Sequence, residues 1–143
     1  MPAAIDFYFD FSSPYGYLAA MTIDELAAQY GRTVRWRPIL LGVVFKVTGG
    51  KPLPTLPLKG DYAQIDMARS ARFHGLPYRQ PSKFPIASQA PARAYYWMEG
   101  RDPAQAHALA KALYRAYFVD DRDIASPEVT ADIAATLGVK RDE

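Results

Sequence analysis

Ser12 and Ser13 are the side chains with the clearest chemical role in this sequence. Residues 4–9 before them alternate in the way that a β-strand requires. Pro14 after them suits the first position of a helix, where its missing N–H costs nothing, and either serine can cap that helix. A hydroxyl placed beside the free N–H groups and the positive dipole end of a helix stabilises an anion such as a thiolate.

The chain itself cannot supply that thiolate. Disulfide oxidoreductases hold their reactive cysteine in such a position, but the chain contains no cysteine. A thiolate at this turn must therefore arrive on a cofactor. No His/Asp/Glu set has metal-ligand spacing, so no metal site is predicted. Asp120, Asp121 and Asp123 lack the spacing of an EF-hand and indicate a loop.

Composition excludes several classes of function. The chain has 143 residues, enough for one domain, and half of them are hydrophobic. A net charge of +2, with scattered cations, does not predict nucleic-acid binding. No apolar run is long enough to span a membrane, and no secretory signal is evident. We therefore expect a cytoplasmic protein that binds neither nucleic acid nor membrane.

The first part of the sequence predicts a β-α-β unit. A strand at 4–9 is followed by a helix at 14–30, which Gly31 ends, and by a second strand at 32–37. Such a unit predicts parallel strands with a right-handed crossover. Residues 42–58 contain two adjacent glycines and three prolines and predict a long loop, of a kind that is often functional.

The remainder of the sequence predicts helices only. They are expected at 61–74, from Ser88 to 99, from Asp102-Pro103 to 118, and from Ser126-Pro127 to 137. Two strands followed by four helices make a poor complete fold, because a two-stranded sheet is marginal by itself. The pattern therefore indicates an interrupted architecture.

The sequence resembles the 2-hydroxychromene-2-carboxylate isomerases, relatives of the kappa-class glutathione transferases within the DsbA-like group. The resemblance covers essentially the whole chain in order, and its first motif is the specific one. It rests on Asp6-Phe7-Tyr8-Phe9-Asp10-Phe11-Ser12-Ser13-Pro14-Tyr15, on Arg37-Pro38, on Pro57-Leu58-Lys59-Gly60, and on Asp123-Ile124-Ala125-Ser126-Pro127.

The resemblance implies an α/β fold in which an all-helical domain is inserted into a thioredoxin-like domain. Residues 1–58 would be the N-terminal part of the thioredoxin-like domain, and residues 59–143 the helical insertion. In that family the chain returns to the sheet after the insertion with further strands and a final helix. Those strands are missing here, so the chain is expected to be the first two-thirds of such a protein.

The resemblance also implies a glutathione site. Ser13 matches the serine beside the glutathione sulfur, Pro14 and Tyr15 follow it in the same motif, and Lys59 matches a lysine that reaches glutathione. Nine residues before that lysine, relatives can carry an asparagine that contacts glutathione. Gly50 stands there in this chain and offers only backbone groups, so part of the contact with glutathione would be lost.

Each candidate also has an ordinary structural interpretation. Ser13 could be a plain helix cap, Ser12 could act in its place, and Lys59 could simply be solvated. Arg69 and Arg72 share a helix face that is more often solvated than substrate-binding. The other candidates are assigned structural places: His74 as a C-terminal cap, His107 at the surface, and Tyr95, Tyr96 and Trp97 divided between the core and an aromatic pocket.

The implied activity is a glutathione-dependent cis–trans isomerisation of a small aromatic 2-oxo acid in the breakdown of aromatic compounds. The thiolate would add to a conjugated double bond, and elimination would follow rotation about the resulting single bond. A kappa-like glutathione transferase of broader specificity and a non-catalytic helical interaction module are the alternatives. Relatives suggest a homodimer.

Overall fold

The computed structural model describes residues 2–141, and its two strands form one parallel pair. Strand β1 (Ile5–Phe9) pairs with strand β2 (Val34–Pro38) in a register that joins Ile5 to Val34 and Phe9 to Pro38. The sequence-based prediction of two parallel strands is confirmed. β1 therefore ends beside the end of β2, and the chain turns at Asp10 towards the first helix.

The helix predicted at 14–30 is two helices instead. Helix α1 (Pro14–Ala20) and helix α2 (Ile23–Gln29) are separated at Met21 and Thr22. The Thr22 hydroxyl donates to the backbone carbonyls of Leu18 and Ala19, both at 3.3 Å. Such side-chain bonds to the preceding turn compete with the helical ladder and bend helices. The prediction of one continuous helix is wrong for this reason.

The long loop predicted at 42–58 is also wrong in part. Helix α3 (Leu41–Thr48) and a short 3-10 helix (Leu53–Thr55) occupy much of it. α3 buries none of its residues, so an apolar periodicity could not announce it. Its first N–H, on Leu41, donates to the Asp10 carboxylate at 2.7 Å, a contact over 31 residues that fixes where the helix begins.

The helical remainder is close to the prediction. It consists of α4 (Lys59–Phe73), α5 (Gln89–Glu99), α6 (Pro103–Phe118) and α7 (Pro127–Ala135). Asp102 accepts from the N–H groups of Ala104 and Gln105, and Ser126 accepts from Val129. These two caps confirm the starts that the Asp-Pro and Ser-Pro pairs predict.

The core lies where α6 packs against β1 and β2. Phe9 and Trp36 from the strands and Leu109 and Tyr114 from α6 are buried in one apolar cluster. The first and second segments of the predicted domain division thus share this cluster. The boundary at 58/59 stays a prediction, and its last two residues, 142 and 143, lie outside the described part. No helix among residues 2–141 has the length and apolarity to cross a membrane.

Candidate functional site

Ser13 caps α1 and keeps a hydrogen available for a ligand. Its Oγ accepts from the N–H of Gly16 at 3.0 Å, and its own N–H donates to the Asp10 carbonyl at 2.9 Å. A hydroxyl that accepts from the backbone can still donate its hydrogen. Because α1 has only seven residues, we attach more weight to this hydroxyl than to the helix dipole.

Ser12 has a different partner, far along the chain. Its Oγ accepts from the N–H of Ile86 at 3.0 Å, and its own N–H donates to Oδ1 of Asp10 at 2.8 Å. Ser12 therefore joins the turn after β1 to the segment that precedes α5. Of the two serines that the sequence left open as caps, Ser13 is the cap.

Both serines line a cleft of about 340 Å³. The turn after β1 and the start of α1 form one side of it. α3, the 3-10 segment, α4 and the segment before α5 contribute mostly apolar side chains to the remainder. These apolar contributors are Leu41, Phe45, Pro52, Leu53, Pro54, Leu56, Met67, Phe84, Pro85 and Ile86. The volume lies within the range of small-molecule sites.

Pro14 and Tyr15, the two further residues of the predicted site on α1, also line the cleft. The Tyr15 hydroxyl donates to Oδ2 of Asp66 at 2.8 Å. Burial, and then this bond to a carboxylate, raise the pKa of Tyr15 to about 12. Tyr15 is therefore neutral at physiological pH and is suited to donating and packing, not to acting as a base.

Arg69 is engaged by its own helix. Its guanidinium donates to Oδ1 of Asp66 at 2.8 Å and to the Tyr62 hydroxyl at 2.6 Å. These bonds raise the pKa of Arg69, first through Asp66 and then through Tyr62. The arrangement agrees with the solvated helix face that the sequence favoured for this arginine over an anion site.

The structure separates Lys59 from the cleft and brings Lys51 to it. Lys59 is the first residue of α4, is exposed, and is not among the residues that line the cleft. Among the described lining residues, Lys51 is the one lysine or arginine. Sequence reasoning missed Lys51, although it stands next to Gly50, whose missing side chain raised the question of what else contacts the ligand.

Asp10 and Ser88 are the other residues that sequence reasoning missed. Asp10 lines the cleft with only 7% of its surface exposed, and Ser88 is buried beside it. The Ser88 hydroxyl donates to Oδ1 of Asp10 at 2.7 Å. Ser88 precedes α5 as predicted, but its side chain makes no cap bond there. No local pattern could connect two positions 78 residues apart.

The remaining candidates lie away from the cleft. His74 caps the end of α4, as predicted. His107 is half-buried and stacks on Trp36 with ring centroids 4.9 Å apart, so its predicted surface position is wrong. The pyrrole nitrogen of Trp36 donates to Asp24, and this side of α6 is therefore a structural contact.

The three neighbouring aromatic residues of α5 divide as expected. Tyr95 is fully buried in the core, and the Tyr96 hydroxyl donates to the carbonyl of Pro38 at 2.8 Å. Trp97 lines a second, mostly apolar cleft of about 420 Å³ between α5 and α7. The second cleft contains none of the predicted site residues.

The acidic segment after α6 forms ion pairs and a turn. Asp121 lies 3.5 Å from Arg79, and Asp123 lies 2.7 Å from Lys83. Within residues 2–141, no group of three or more His, Asp or Glu side chains is arranged to hold a metal ion.

Comparison with known proteins gives the family context of this site. The pattern of the DSBA-like thioredoxin domain family matches residues 4–143. Glutathione S-transferase kappa 1 of Caenorhabditis elegans is 40% identical over 81 residues, which are 56% of this chain and 36% of that relative. 2-Hydroxychromene-2-carboxylate isomerase of Pseudomonas putida is 40% identical over 83 residues, which are 56% of this chain and 40% of that relative.

A solved structure supports the same grouping. A 2-hydroxychromene-2-carboxylate isomerase structure superimposes with a TM-score of 0.84 and 30% sequence identity, over 98% of this chain and 68% of that one. The two sequence alignments span well under two thirds of either relative. The structural alignment nevertheless extends the likeness to nearly all of the present chain.

Proposed function

The chain belongs to the family of DSBA-like thioredoxin domains, and on this premise we propose that it forms the glutathione site of an enzyme. Relatives named glutathione S-transferase kappa 1 and 2-hydroxychromene-2-carboxylate isomerase support this proposal. The chain has no cysteine, so a thiol must come from a bound molecule. Glutathione, when bound, supplies a thiolate for reversible addition to a conjugated double bond, which permits cis–trans isomerisation.

The single observation that carries the proposal is the Ser13 hydroxyl in the cleft. Its oxygen already accepts from Gly16, so its hydrogen is the part left for a ligand. A donated hydrogen bond favours the charged form of a thiol and lowers its pKa. Ser13 thus fits a sulfur anion, and Pro14 and Tyr15 would contact the same molecule from α1.

The lining of the cleft supports a substrate with an apolar body and one anionic group. Phe45, Leu53 and Met67 belong to its apolar side, and Lys51 supplies a cation. We propose that a small aromatic 2-oxo acid lies against the apolar side and that a carboxylate of the substrate or of glutathione pairs with Lys51. Lys59, the lysine that the family resemblance favours, stays the alternative partner of such a carboxylate.

A kappa-like glutathione transferase of broader specificity is the second candidate. It shares the Ser13 chemistry, and the relative named glutathione S-transferase kappa 1 is as similar in its aligned part as the isomerase relative is. An apolar lining with few polar groups would also suit varied electrophiles. The two candidates differ in substrate only, so a rate assay can separate them.

Calorimetric titration of the chain with glutathione is the first test. We expect saturable binding that weakens when Ser13 is replaced by alanine. Assays with 2-hydroxychromene-2-carboxylate and with a general electrophilic substrate then decide between isomerase and transferase. If glutathione does not bind at all, both enzymes are excluded and a non-catalytic helical module becomes the preferred interpretation.

We also propose that the chain forms a homodimer through the outer face of α4. Several large apolar side chains are exposed there at a helical spacing, among them Leu58 at 84%, Ile65 at 64% and Phe73 at 85%. Contiguous exposed apolar surface of this kind often marks a protein–protein contact. Like the substrate, the partner is a proposal that rests on the family resemblance and on this surface.

A further inference from the structure

One buried carboxylate lies at the meeting point of the three segments that frame the cleft. Oδ1 of Asp10 accepts from the N–H of Ser12 at 2.8 Å and from the Ser88 hydroxyl at 2.7 Å. Oδ2 accepts from the N–H of Leu41 at 2.7 Å. The side chain therefore joins the serine turn to the start of α3 and to the residue that precedes α5.

The backbone of Asp10 holds the same turn from its other side. Its carbonyl accepts from the N–H of Ser13 at 2.9 Å and from the buried Tyr114 hydroxyl at 2.8 Å. Both serines are thus attached to this one residue, Ser12 through the carboxylate and Ser13 through the carbonyl. Few other groups are available to set the position of the Ser13 hydroxyl relative to the cleft.

We propose that Asp10 is the positioning residue of the glutathione site, acting through the Ser12–Ser13 turn and not by contact with the reacting atoms. This inference rests on the proposed function of the cleft. All three hydrogen bonds to the carboxylate come from within the chain, which leaves it little capacity to bind a ligand or move a proton. Its role is to hold the Ser13 hydroxyl where a sulfur anion would lie.

The sign of the effect separates positioning from simple electrostatics. A carboxylate near a thiolate disfavours it, so removal of the charge alone would lower the pKa of the bound thiol. Loss of positioning would instead weaken the hydrogen bond from Ser13 and raise that pKa. The two explanations therefore predict opposite shifts for the same substitution.

Asp10→Asn is the informative variant because it keeps the size of the side chain but not its three acceptor positions. An amide carries one oxygen, and its NH₂ group would face the N–H of either Ser12 or Leu41. One of these backbone donors must lose its partner. Asp102→Asn is the matched control, since Asp102 also accepts from two backbone N–H groups, at the start of α6, and is not part of the cleft lining.

The measurement is the thiolate absorbance of bound glutathione as a function of pH. We expect Asp10→Asn to raise the midpoint by roughly one pH unit, and Asp102→Asn to leave it at the wild-type value. Ser88→Ala removes one of the three bonds and should raise the midpoint by a smaller amount. If Asp10→Asn does not fold, the Ser88→Ala result decides by itself.

An unchanged or lowered midpoint in Asp10→Asn, or in Ser88→Ala where it must decide alone, would overturn the positioning role while leaving the proposed function intact. An equal rise in Asp102→Asn would also overturn it, because the effect would then follow general loss of stability. If the wild-type chain binds no glutathione, the proposed function fails first and the role of Asp10 fails with it.

Discussion

The hydroxyl oxygen of Tyr114 lies 2.6 Å from the point where a Cβ atom on Gly16 would stand. Tyr114 is fully buried, and burial raises its pKa well above the ordinary value, with Asp10 adding to the shift. Its hydroxyl therefore stays protonated and donates to the Asp10 carbonyl. Glycine at position 16 is the condition for this close approach between α1 and α6.

Gly16→Ala should destabilise the fold because the new methyl group would meet a buried hydroxyl that cannot easily move. We expect a decrease of about 1–3 kcal/mol in the free energy of unfolding, measured by urea denaturation. Gly42→Ala is the control, since a Cβ there meets nothing within 4 Å and α3 would gain helix propensity. In a Tyr114→Phe background the same change at Gly16 should be less costly, and an equal loss would contradict the steric explanation.

Ser13→Ala should remove the hydrogen bond to the glutathione thiolate with little change of fold. A hydrogen bond to a charged group contributes about 1.5–3 kcal/mol, so the rate should fall about tenfold to a hundredfold. The deciding measurement is the pH titration of bound thiolate absorbance, which should shift to higher pH.

Ser126→Ala is the matched control for Ser13→Ala. Ser126 caps α7 through its bond from Val129 at 3.3 Å, so its removal should cost a similar cap energy of about 1 kcal/mol without affecting the thiolate. Identical thiolate titrations in wild type and Ser13→Ala would remove Ser13 from the mechanism. Ser12, which also lines the cleft, would then be the next candidate.

The lysine that binds a carboxylate can be identified by comparing Lys51→Gln with Lys59→Gln. An exposed ion pair is weak, so we expect Lys51→Gln to raise the dissociation constant of glutathione, or the KM of an acidic substrate, by about two- to fivefold. Lys46→Gln, on α3 but outside the cleft lining, controls for net charge. A larger effect of Lys59→Gln would restore the residue that the family resemblance favours.

Asp24 should make the protein sensitive to acid. Burial by itself would raise its pKa, but bonds from His107, Lys111 and Trp36 outweigh burial and hold the pKa well below the usual range. A carboxylate with a lowered folded-state pKa contributes stability above its unfolded pKa of about 4. That contribution is lost as the pH falls from about 4 through the folded-state value.

The acid dependence of unfolding, followed by urea denaturation from pH 6 downward, checks this expectation. Asp24→Asn should make the decrease in stability below about pH 4 shallower. Asp66→Asn is the comparison, because Arg69 and Tyr15 also lower the pKa of Asp66, but in full contact with solvent. If both variants flatten the profile equally, the partly buried environment of Asp24 has no special role.

Self-association through α4 can be measured by sedimentation velocity. We expect concentration-dependent dimer formation in wild type and its loss in Ile65→Lys, which places a charge in the exposed apolar face. Val47→Lys is the control, because Val47 is 85% exposed on α3, outside that face. A monomer at all concentrations would contradict the proposed homodimer.

Local signals predicted the strands and most helix starts correctly. Alternation marked β1, and the pairs Asp102-Pro103 and Ser126-Pro127 marked α6 and α7 because capping and proline geometry act within one turn. The failures came from contacts between distant residues. α3 begins at a bond from Leu41 to Asp10, and nothing near residue 41 announces it.

The candidate site shows the same division. Ser13 could be found from its own neighbours, because a cap and its helix are adjacent in sequence. Ser12, Asp10 and Lys51 could not be placed, since their positions depend on Ile86, Ser88 and the path of residues 41–56. The break at Thr22 was missed because a mid-helix threonine interrupts a helix only in some settings.

The hydrogen bond between Asp10 and Ser88 closes a loop of 78 residues. Closing so long a loop has an entropic cost that must be met before the bond contributes, so this corner should form late in folding. The cleft would then exist only when the helical part has already docked. Glutathione binding should therefore slow amide hydrogen exchange in the core of the domain as well as at the serine turn, because any opening that exposes those amides also dismantles the binding site.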